Sequence, residues 1–350
     1  MSSDRDAAAF LSDRIPQLAA AITERQFQRN VRLAERYGPA GRAHCNADAA
    51  FHLRFLAQAV RHGAPQLFVD YIGWAKIMLA SRGVPAEDLR LNLDLISECA
   101  TEDAPPEIAD EIRNVTGGAI ARFASLPDSL ELLLDGRERE SVTARYLRAV
   151  LGGDRRSAMS IVFSALDDGM TLPSIYLDVL ERAQIEVGRM WQANRISVAQ
   201  EHYSSAATQL VMSQLFARVM ESPAGERRIV AACVGDELHE IGLRIVSDLL
   251  ELSGWATHYL GANVPASSIV DAAVRTRANV IALSTTLTPH VAETERVIGA
   301  IRDHPQMRGV PILVGGAPFR IEPSLWKRVG ADASAGNARD AVEAAGRLVA

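Results

Sequence analysis

Three short spacings in this chain carry residues able to do chemistry. The segment Gly235-Asp236-Glu237-Leu238-His239-Glu240-Ile241-Gly242 places a carboxylate two residues before a histidine, directly after the apolar run 228–234. A carboxylate so placed can hold the proton on one ring nitrogen, fixing the tautomer and leaving the other nitrogen free for a metal. Gly242, at the start of the following helix, would let that helix approach a ligand closely. A loop histidine is equally compatible with plain solvation, so the spacing alone suggests a ligand without assigning it.

Two other loops share the pattern of a strand running into polar or side-chain-free residues. Ser284-Thr285-Thr286-Leu287 offers hydroxyls, and Gly315-Gly316 offers a channel without side chains. A helix cap and a simple turn account for the same residues. The third spacing is Trp191, nine residues, then Glu201-His202. It reads either as an aromatic plane and a polar pair over a ligand, or as a core tryptophan beside a solvated pair.

These residues need elements to carry them. Beyond residue 225, β-rich runs at 228–234, 257–260, 280–284 and 311–314, with a weaker one at 331–334, alternate with helical patterns at 241–252, 267–277 and 291–303. That alternation predicts a doubly wound parallel sheet with helices on both faces, and ligands at the carboxyl ends of its strands. Residues 142–220 are helical, broken at Gly152-Gly153, at Gly169 to Pro173 and at Asn194-Arg195, which predicts a four-helix bundle. Residues 1–135 have helical periodicity at 51–62 and 67–82, with stops at Gly38-Pro39, Gly63 to Pro65, Gly83 to Pro85 and Pro105-Pro106. Five or six helices in one all-α domain are expected there. The charged run 132–141 serves as the junction. The fold class is therefore α and α/β multidomain, with domains at 1–135, 142–220 and 225–350.

With 37 Lys+Arg against 43 Asp+Glu the net charge is −6, which argues against a general nucleic-acid binder. No apolar run approaches the roughly 20 residues of a membrane span. The first residues, MSSDRDAAAFLSDR, are polar and read as neither signal nor transit peptide. Cys45, Cys99 and Cys233 are too far apart for a disulfide framework or a metal spacing, and a cytoplasmic protein is expected.

Taken together, residues 142–350 resemble a cobalamin-binding module: a four-helix cap followed by a flavodoxin-like (Rossmann-type) domain with an Asp-x-His-x-x-G, Ser-x-Leu, Gly-Gly signature. The resemblance implies His239 as the cobalt's lower axial ligand, with Glu237, Leu238 and Gly242 around it. It also implies a channel for the displaced dimethylbenzimidazole tail at Ser284, Thr286, Leu287, Gly315 and Gly316. Two departures stand out: the acidic residue is Glu237 rather than Asp, and Leu287 comes one place late. The spacing Trp191, Glu201, His202 is similar to that of the CarH-type adenosylcobalamin photoreceptors, where the tryptophan packs beside the adenosyl group. Such receptors carry a histidine after that tryptophan. Gln192 stands here, so a bis-histidine light state through that position is not available.

The first 135 residues contain no basic recognition helix, so direct DNA binding is not expected. Domain order and the stretch Phe68 to Lys76 resemble the photocobilins, in which a globin-like domain holds biliverdin near the cobalamin cap. That resemblance implies a bilin slot at Tyr71, Trp74, His52, Arg54 and Lys76, with Met78, Arg61, His62 and Arg82 nearby. Cys45 is read as an inert thiol. The expected function is a light-sensing switch and not an enzyme: photolysis of the Co–C bond of adenosylcobalamin drives a cap and quaternary-structure change in a homo-oligomer, with an unknown downstream effector. The alternative is the corrinoid protein of a methyltransferase system carrying methylcobalamin. A mutase fragment is disfavoured for want of room for a substrate barrel.

Overall fold

The structure, a computed structural model, describes residues 2–136, 140–223 and 225–350. The centre of the charged run, 137–139, lies outside the described residues. The chain forms two compact units, Met1–Asp128 and Ser129–Ala350.

The first unit is all helical: α1 (Ser2–Ser12), α2 (Ile15–Arg29), α3 (Leu33–Tyr37), α4 (Gly41–Arg61), α5 (Pro65–Ala80), α6 (Ala86–Glu102) and α7 (Pro106–Arg122). Its core includes Leu11, Ile22, Leu53, Leu56, Phe68, Ile72 and Leu93, all essentially inaccessible to solvent. Among the described residues seven helices stand where five or six are expected. The break between α1 and α2 carries no glycine, only a proline inside the first turn of α2, and α3 is too short to show a period.

The second unit opens with the bundle. It comprises α8 (Val142–Leu151), α9 (Arg155–Asp167), a third rod built from α10 (Leu172–Ser174), a π-helical segment (Ile175–Glu181) and α11 (Arg182–Gln192), and α12 (Val198–Val219). Ser141, Asp154, Thr171 and Ser197 each cap a helix start through the side chain, and Ser197 forms a reciprocal capping box with Gln200. Tyr146, Tyr176, Leu180, Val211 and Leu215 fill the bundle core. The rod bulges at the π-helical segment, and one more residue in that turn re-aims the side chains that follow it.

The α/β part has strands β1 (Arg228–Cys233), β2 (Ala256–Gly261), β3 (Val280–Ser284), β4 (Ile312–Gly315) and β5 (Ala333–Ala335). They alternate with α13 (Ile241–Leu252), α14 (Ala266–Thr276), α15 (Val291–Asp303), the short α16 (Ala317–Ile321) and α17 (Leu325–Arg328), and α18 (Ala338–Leu348). The sheet is parallel throughout in the flavodoxin-like order β2-β1-β3-β4-β5, with α13 packed on α18 and α14 on α15. Register then does the positioning. Cys233 pairs with Ser284, Ser284 with Gly315, and Gly315 with Ala335, so the carboxyl ends of four strands form one edge. The order reverses between β1 and β3, where such sheets open a crevice.

Candidate functional site

The loop leaving β1 is shaped by neighbouring backbone. Asp236 sits in the left-handed region at φ 64° and its N–H donates to Asn263 Oδ1 at 2.8 Å. The N–H of Asn263 donates back to Glu237 O at 2.9 Å, so the β2–α14 loop braces the β1–α13 loop. This bracing turns the Glu237 side chain inward and leaves the His239 side chain 57% exposed.

Glu237 is fully buried, and its two oxygens collect five donors. Oε1 accepts from His239 Nδ1 at 2.5 Å and from the His239 N–H at 3.1 Å. Oε2 accepts from the N–H groups of Thr286 at 2.7 Å and Leu287 at 3.0 Å, and from His290 Nδ1 at 3.1 Å. Burial alone would raise this carboxyl. The donors from His239, His290 and the backbone outweigh it and hold the group well below the usual carboxylate range. A carboxylate can only accept, so His239 Nδ1 carries a proton, and in the neutral ring Nε2 is the nitrogen that keeps a lone pair. The Glu237 hydrogen bond also raises the His239 imidazole, against the opposing effect of burial.

His239 opens onto a cavity of about 800 Å³ between the bundle and the strand edge. Trp191, Glu201 and His202 line it from the bundle. Leu238, His239 and Gly242 line it from the β1–α13 loop, and Ser284, Thr286, Gly315 and Gly316 from the strand ends. The structure thus brings together ten of the twelve residues expected on this side of the molecule. The other two, Glu237 and Leu287, stand behind the wall, where Leu287 contributes its N–H rather than its side chain. Gln192 is buried and does not line the cavity. His202 is 75% exposed, its Nε2 3.3 Å from Glu201 Oε2.

The two glycine positions differ in cause. A Cβ on Gly316, at φ 113°, would lie 1.9 Å from Thr285 O, so the close packing of the β3 and β4 loops requires glycine. A Cβ on Gly242 would meet nothing within 4 Å, so that glycine leaves open space in the cavity rather than relieving a clash.

Several functional neighbours are not legible in the local sequence. His290 is one. Gln209 on α12 donates to Glu240 Oε1 at 2.8 Å while Tyr259 donates to Oε2 at 2.8 Å, tying the bundle to the start of α13. Tyr176 donates to the buried Asp248 at 2.8 Å and makes a second tie. Ser205 donates to Glu201 at 3.1 Å and Gln184 donates to Thr208 at 2.6 Å, giving the bundle side of the cavity a connected polar lining.

These residues fit a metal that arrives in its own macrocycle. One imidazole is held with a free nitrogen at a cavity wall, beside the exposed apolar side chains of Leu238, Ile185 and Val198. Among the described residues no group of three or more His, Cys, Asp or Glu could hold a bare ion. Comparison with known proteins agrees. Residues 142–216 and 227–346 each match a B12 binding domain family. The chain is 32% identical over 123 residues to dimethylamine corrinoid protein 3 of Methanosarcina mazei, which covers 35% of this chain and 72% of that one. The chain belongs to the B12-binding family. It is a cobalamin-binding protein.

The HTH-type transcriptional repressor CarH of Myxococcus xanthus is 28% identical over 247 residues, which is 66% of this chain and 80% of the repressor. Dimethylamine corrinoid protein 1 of M. mazei is matched over 55% of its length, and the dimethylamine corrinoid protein of Methanosarcina barkeri over 99% of its length at 26% identity. The Methanosarcina barkeri monomethylamine corrinoid protein shares the fold at a TM-score of 0.54 and 20% identity, over 60% of this chain and 99% of that one.

In the first unit the expected bilin residues fall into two sets. His52, Tyr71 and Trp74 adjoin one another. His52 Nδ1 lies 2.8 Å from Tyr71 Oη, and Tyr71 stacks on Phe55 at 3.6 Å and on Trp74 at 6.2 Å between centroids. Burial lowers His52 to about 4, so its ring is neutral. Arg54 lies over Phe51 at 5.4 Å. Lys76 is a correction. The resemblance casts it as a propionate partner, but its buried ammonium donates to Phe123 O at 3.2 Å and Leu126 O at 2.7 Å and pairs with Asp128 at 2.8 Å. It secures the end of the unit. Burial raises the Cys45 thiol, in keeping with an unreactive cysteine. Among the described residues no helix is long and apolar enough to cross a membrane.

Proposed function

We propose that the protein is a light-responsive switch that holds adenosylcobalamin with His239 as the lower ligand to cobalt. The carrying observation is that Trp191, Glu201 and His202 line the same cavity as His239, in the spacing of the CarH-type receptors. The cofactor supplies a cobalt–carbon bond that visible light breaks. This chain's residues do the rest. Glu237 holds the His239 tautomer, Trp191 would shield a bound cofactor from water at the bundle side of the cavity, and the Glu201–Ser205 hydrogen bond fixes a carboxylate in the cavity wall that could accept from a cofactor hydroxyl. Gln209–Glu240 and Tyr176–Asp248 are the ties that a moving bundle must break or carry with it. The role is a switch rather than a catalyst, in a cytoplasmic homo-oligomer whose output passes to a partner protein.

In the first unit we take the Phe55–Tyr71–Trp74 stack, with His52 and Arg54, as the slot for biliverdin in a globin-like domain. Titration with biliverdin checks this; a protein that takes up none leaves the cobalamin switch alone.

Dark and illuminated protein loaded with adenosylcobalamin, compared by absorption and by size-exclusion chromatography, tests the main reading. A light-dependent change of assembly size, abolished by Trp191→Ala, is expected. The same size in dark and light would overturn it. The 32% identity to a dimethylamine corrinoid protein favours the second reading, a methyl carrier, under which methylcobalamin would load equally well and light would leave assembly unchanged.

A further inference from the structure

We propose that Arg320 holds the phosphodiester of the cofactor's nucleotide tail at the mouth of the channel between the strand ends. The inference rests on cobalamin lying in this cavity with His239 on cobalt and its tail base displaced. Inside the strand ends the cavity is lined by Ala282, Leu283, Leu313, Val314 and Ala335, all buried and apolar. That stretch suits a flat base and offers nothing to a charge. The tail's phosphodiester, the cofactor's one anionic group, lies in the covalent chain between the corrin edge and that base. Cobalt at His239 and a base in the channel therefore leave the phosphate between them, at the strand ends.

One cation stands there. Among the described residues Arg320 is the only Arg or Lys that lines the cavity, against the carboxylates of Glu181, Glu201 and Glu240. Glu240 is engaged by Gln209 and Tyr259, and Glu201 by Ser205. Arg320 lies in the short α16, whose Pro318 and Phe319 are buried directly after the glycine pair. The backbone that carries it is thus fixed at the mouth, beside Gly316 with its close approach to Thr285 O. Its own side chain is exposed and makes no hydrogen bond or close ion pair among the described residues. Glu181, on the third rod, is within its electrostatic reach: burial raises that carboxyl and the guanidinium opposes the rise.

A guanidinium presents paired N–H donors that match two phosphate oxygens, and it keeps its charge at any working pH. If it served only to tie Glu181 and the bundle to α16, it would matter equally to every corrinoid. If it meets the phosphate, it matters only to those that carry one.

That contrast is the test. Full-length protein is titrated in the dark with adenosylcobalamin, adenosylcobinamide phosphate and adenosylcobinamide, which share the corrin and the upper group. The second keeps a phosphate without ribose and base, and the third ends in an alcohol. Wild type should bind the phosphate form about 5–10-fold more tightly than the alcohol form, a modest margin for a charge-assisted contact because Arg320 stands partly in water. Added salt should shrink that margin. Arg320→Met should erase it and weaken adenosylcobalamin by the same factor, leaving adenosylcobinamide as in wild type, while Arg320→Lys should keep part of it. An Arg320→Met variant that keeps the margin, or that weakens all three corrinoids alike, would overturn the proposal. Cob(II)alamin on ¹⁵N-labelled wild type, read by electron paramagnetic resonance, separates this from the reading beneath it. A protein imidazole on cobalt splits the lines into doublets, and the cofactor's own unlabelled tail base splits them into triplets. Doublets with an unchanged margin in Arg320→Met strike the Arg320 contact alone; triplets would overturn the displaced-tail reading and the phosphate contact with it.

Discussion

Glu237 Oε1 lies 2.5 Å from His239 Nδ1, and the two side chains have opposite environments: the carboxylate is wholly buried and the imidazole is 57% exposed. The buried member anchors and the exposed member presents. Glu237→Gln sets an amide N–H against donors that need an acceptor. A loss of roughly 2–4 kcal/mol in stability at neutral pH and about 10–100-fold in cobalamin affinity is expected. Ionisation of Glu237 stabilises the fold above its ordinary value of 4.5, and that contribution is lost as pH falls through its depressed folded value. Acid unfolding curves of the variant should therefore be shallower. Wild-type stability in the variant would contradict the role of the carboxylate.

Gly242 and Gly316 separate binding from folding. Gly242→Leu fills open space in the cavity and should reduce cobalamin uptake at least about 10-fold, with the apo melting temperature within a few degrees of wild type. Gly316→Ala forces a Cβ against Thr285 O and should destabilise the apo protein by about 3 kcal/mol or more. Equal effects of the two changes on apo stability would count against this division.

Asp248 gives the second unit a stability slope of its own. Burial raises its carboxyl from 3.8 to about 6, with the Tyr176 hydroxyl and Arg244 opposing. The folded state thus holds the proton more tightly than the unfolded chain, and stability falls as pH rises from about 4 to about 6. The two-unit difference is worth about 3 kcal/mol. Asp248→Asn keeps an acceptor for Tyr176 and removes the charge, so it should flatten denaturant midpoints across that range and gain on wild type above pH 6. A variant that is less stable than wild type at pH 7 would refute the assignment.

Lys76 is expected to matter to folding of the first unit whether or not a bilin binds. Lys76→Met leaves Leu126 O and Asp128 without their cation and should cost roughly 2–3 kcal/mol, read by thermal unfolding of the apo protein. A variant of wild-type stability would restore Lys76 as a candidate ligand for a bound anion.

What could be read from sequence follows how local each signal is. Four of the five strands lie within a residue of their expected bounds because each is an apolar run closed by turn residues. The fifth, Ala333–Ala335, starts two residues and ends one residue later than the run 331–334, since Ala-Ser-Ala has little strand preference of its own and is fixed by pairing with β4. Glu237 and His239 are two residues apart, so their partnership is visible in the chain. His290 lies 53 residues from Glu237, and Gln209 lies 31 from Glu240. Those pairs exist only once β1, β3 and α12 have come together. Lys76 misleads for the converse reason: helical periodicity places its Cα beside an aromatic face, while its long side chain reaches Phe123, Leu126 and Asp128.

The absorption spectrum of cobalamin bound to wild type and to His239→Ala, recorded side by side in the dark, tests the central claim most directly. The account predicts that wild type holds the cofactor with its tail base displaced and an imidazole of the protein on cobalt. The variant should either fail to retain cobalamin or hold it with the tail base attached or the lower position without an imidazole. An identical imidazole-bound spectrum in the variant would contradict the assignment of His239 and, with it, the reading of the whole Glu237 loop.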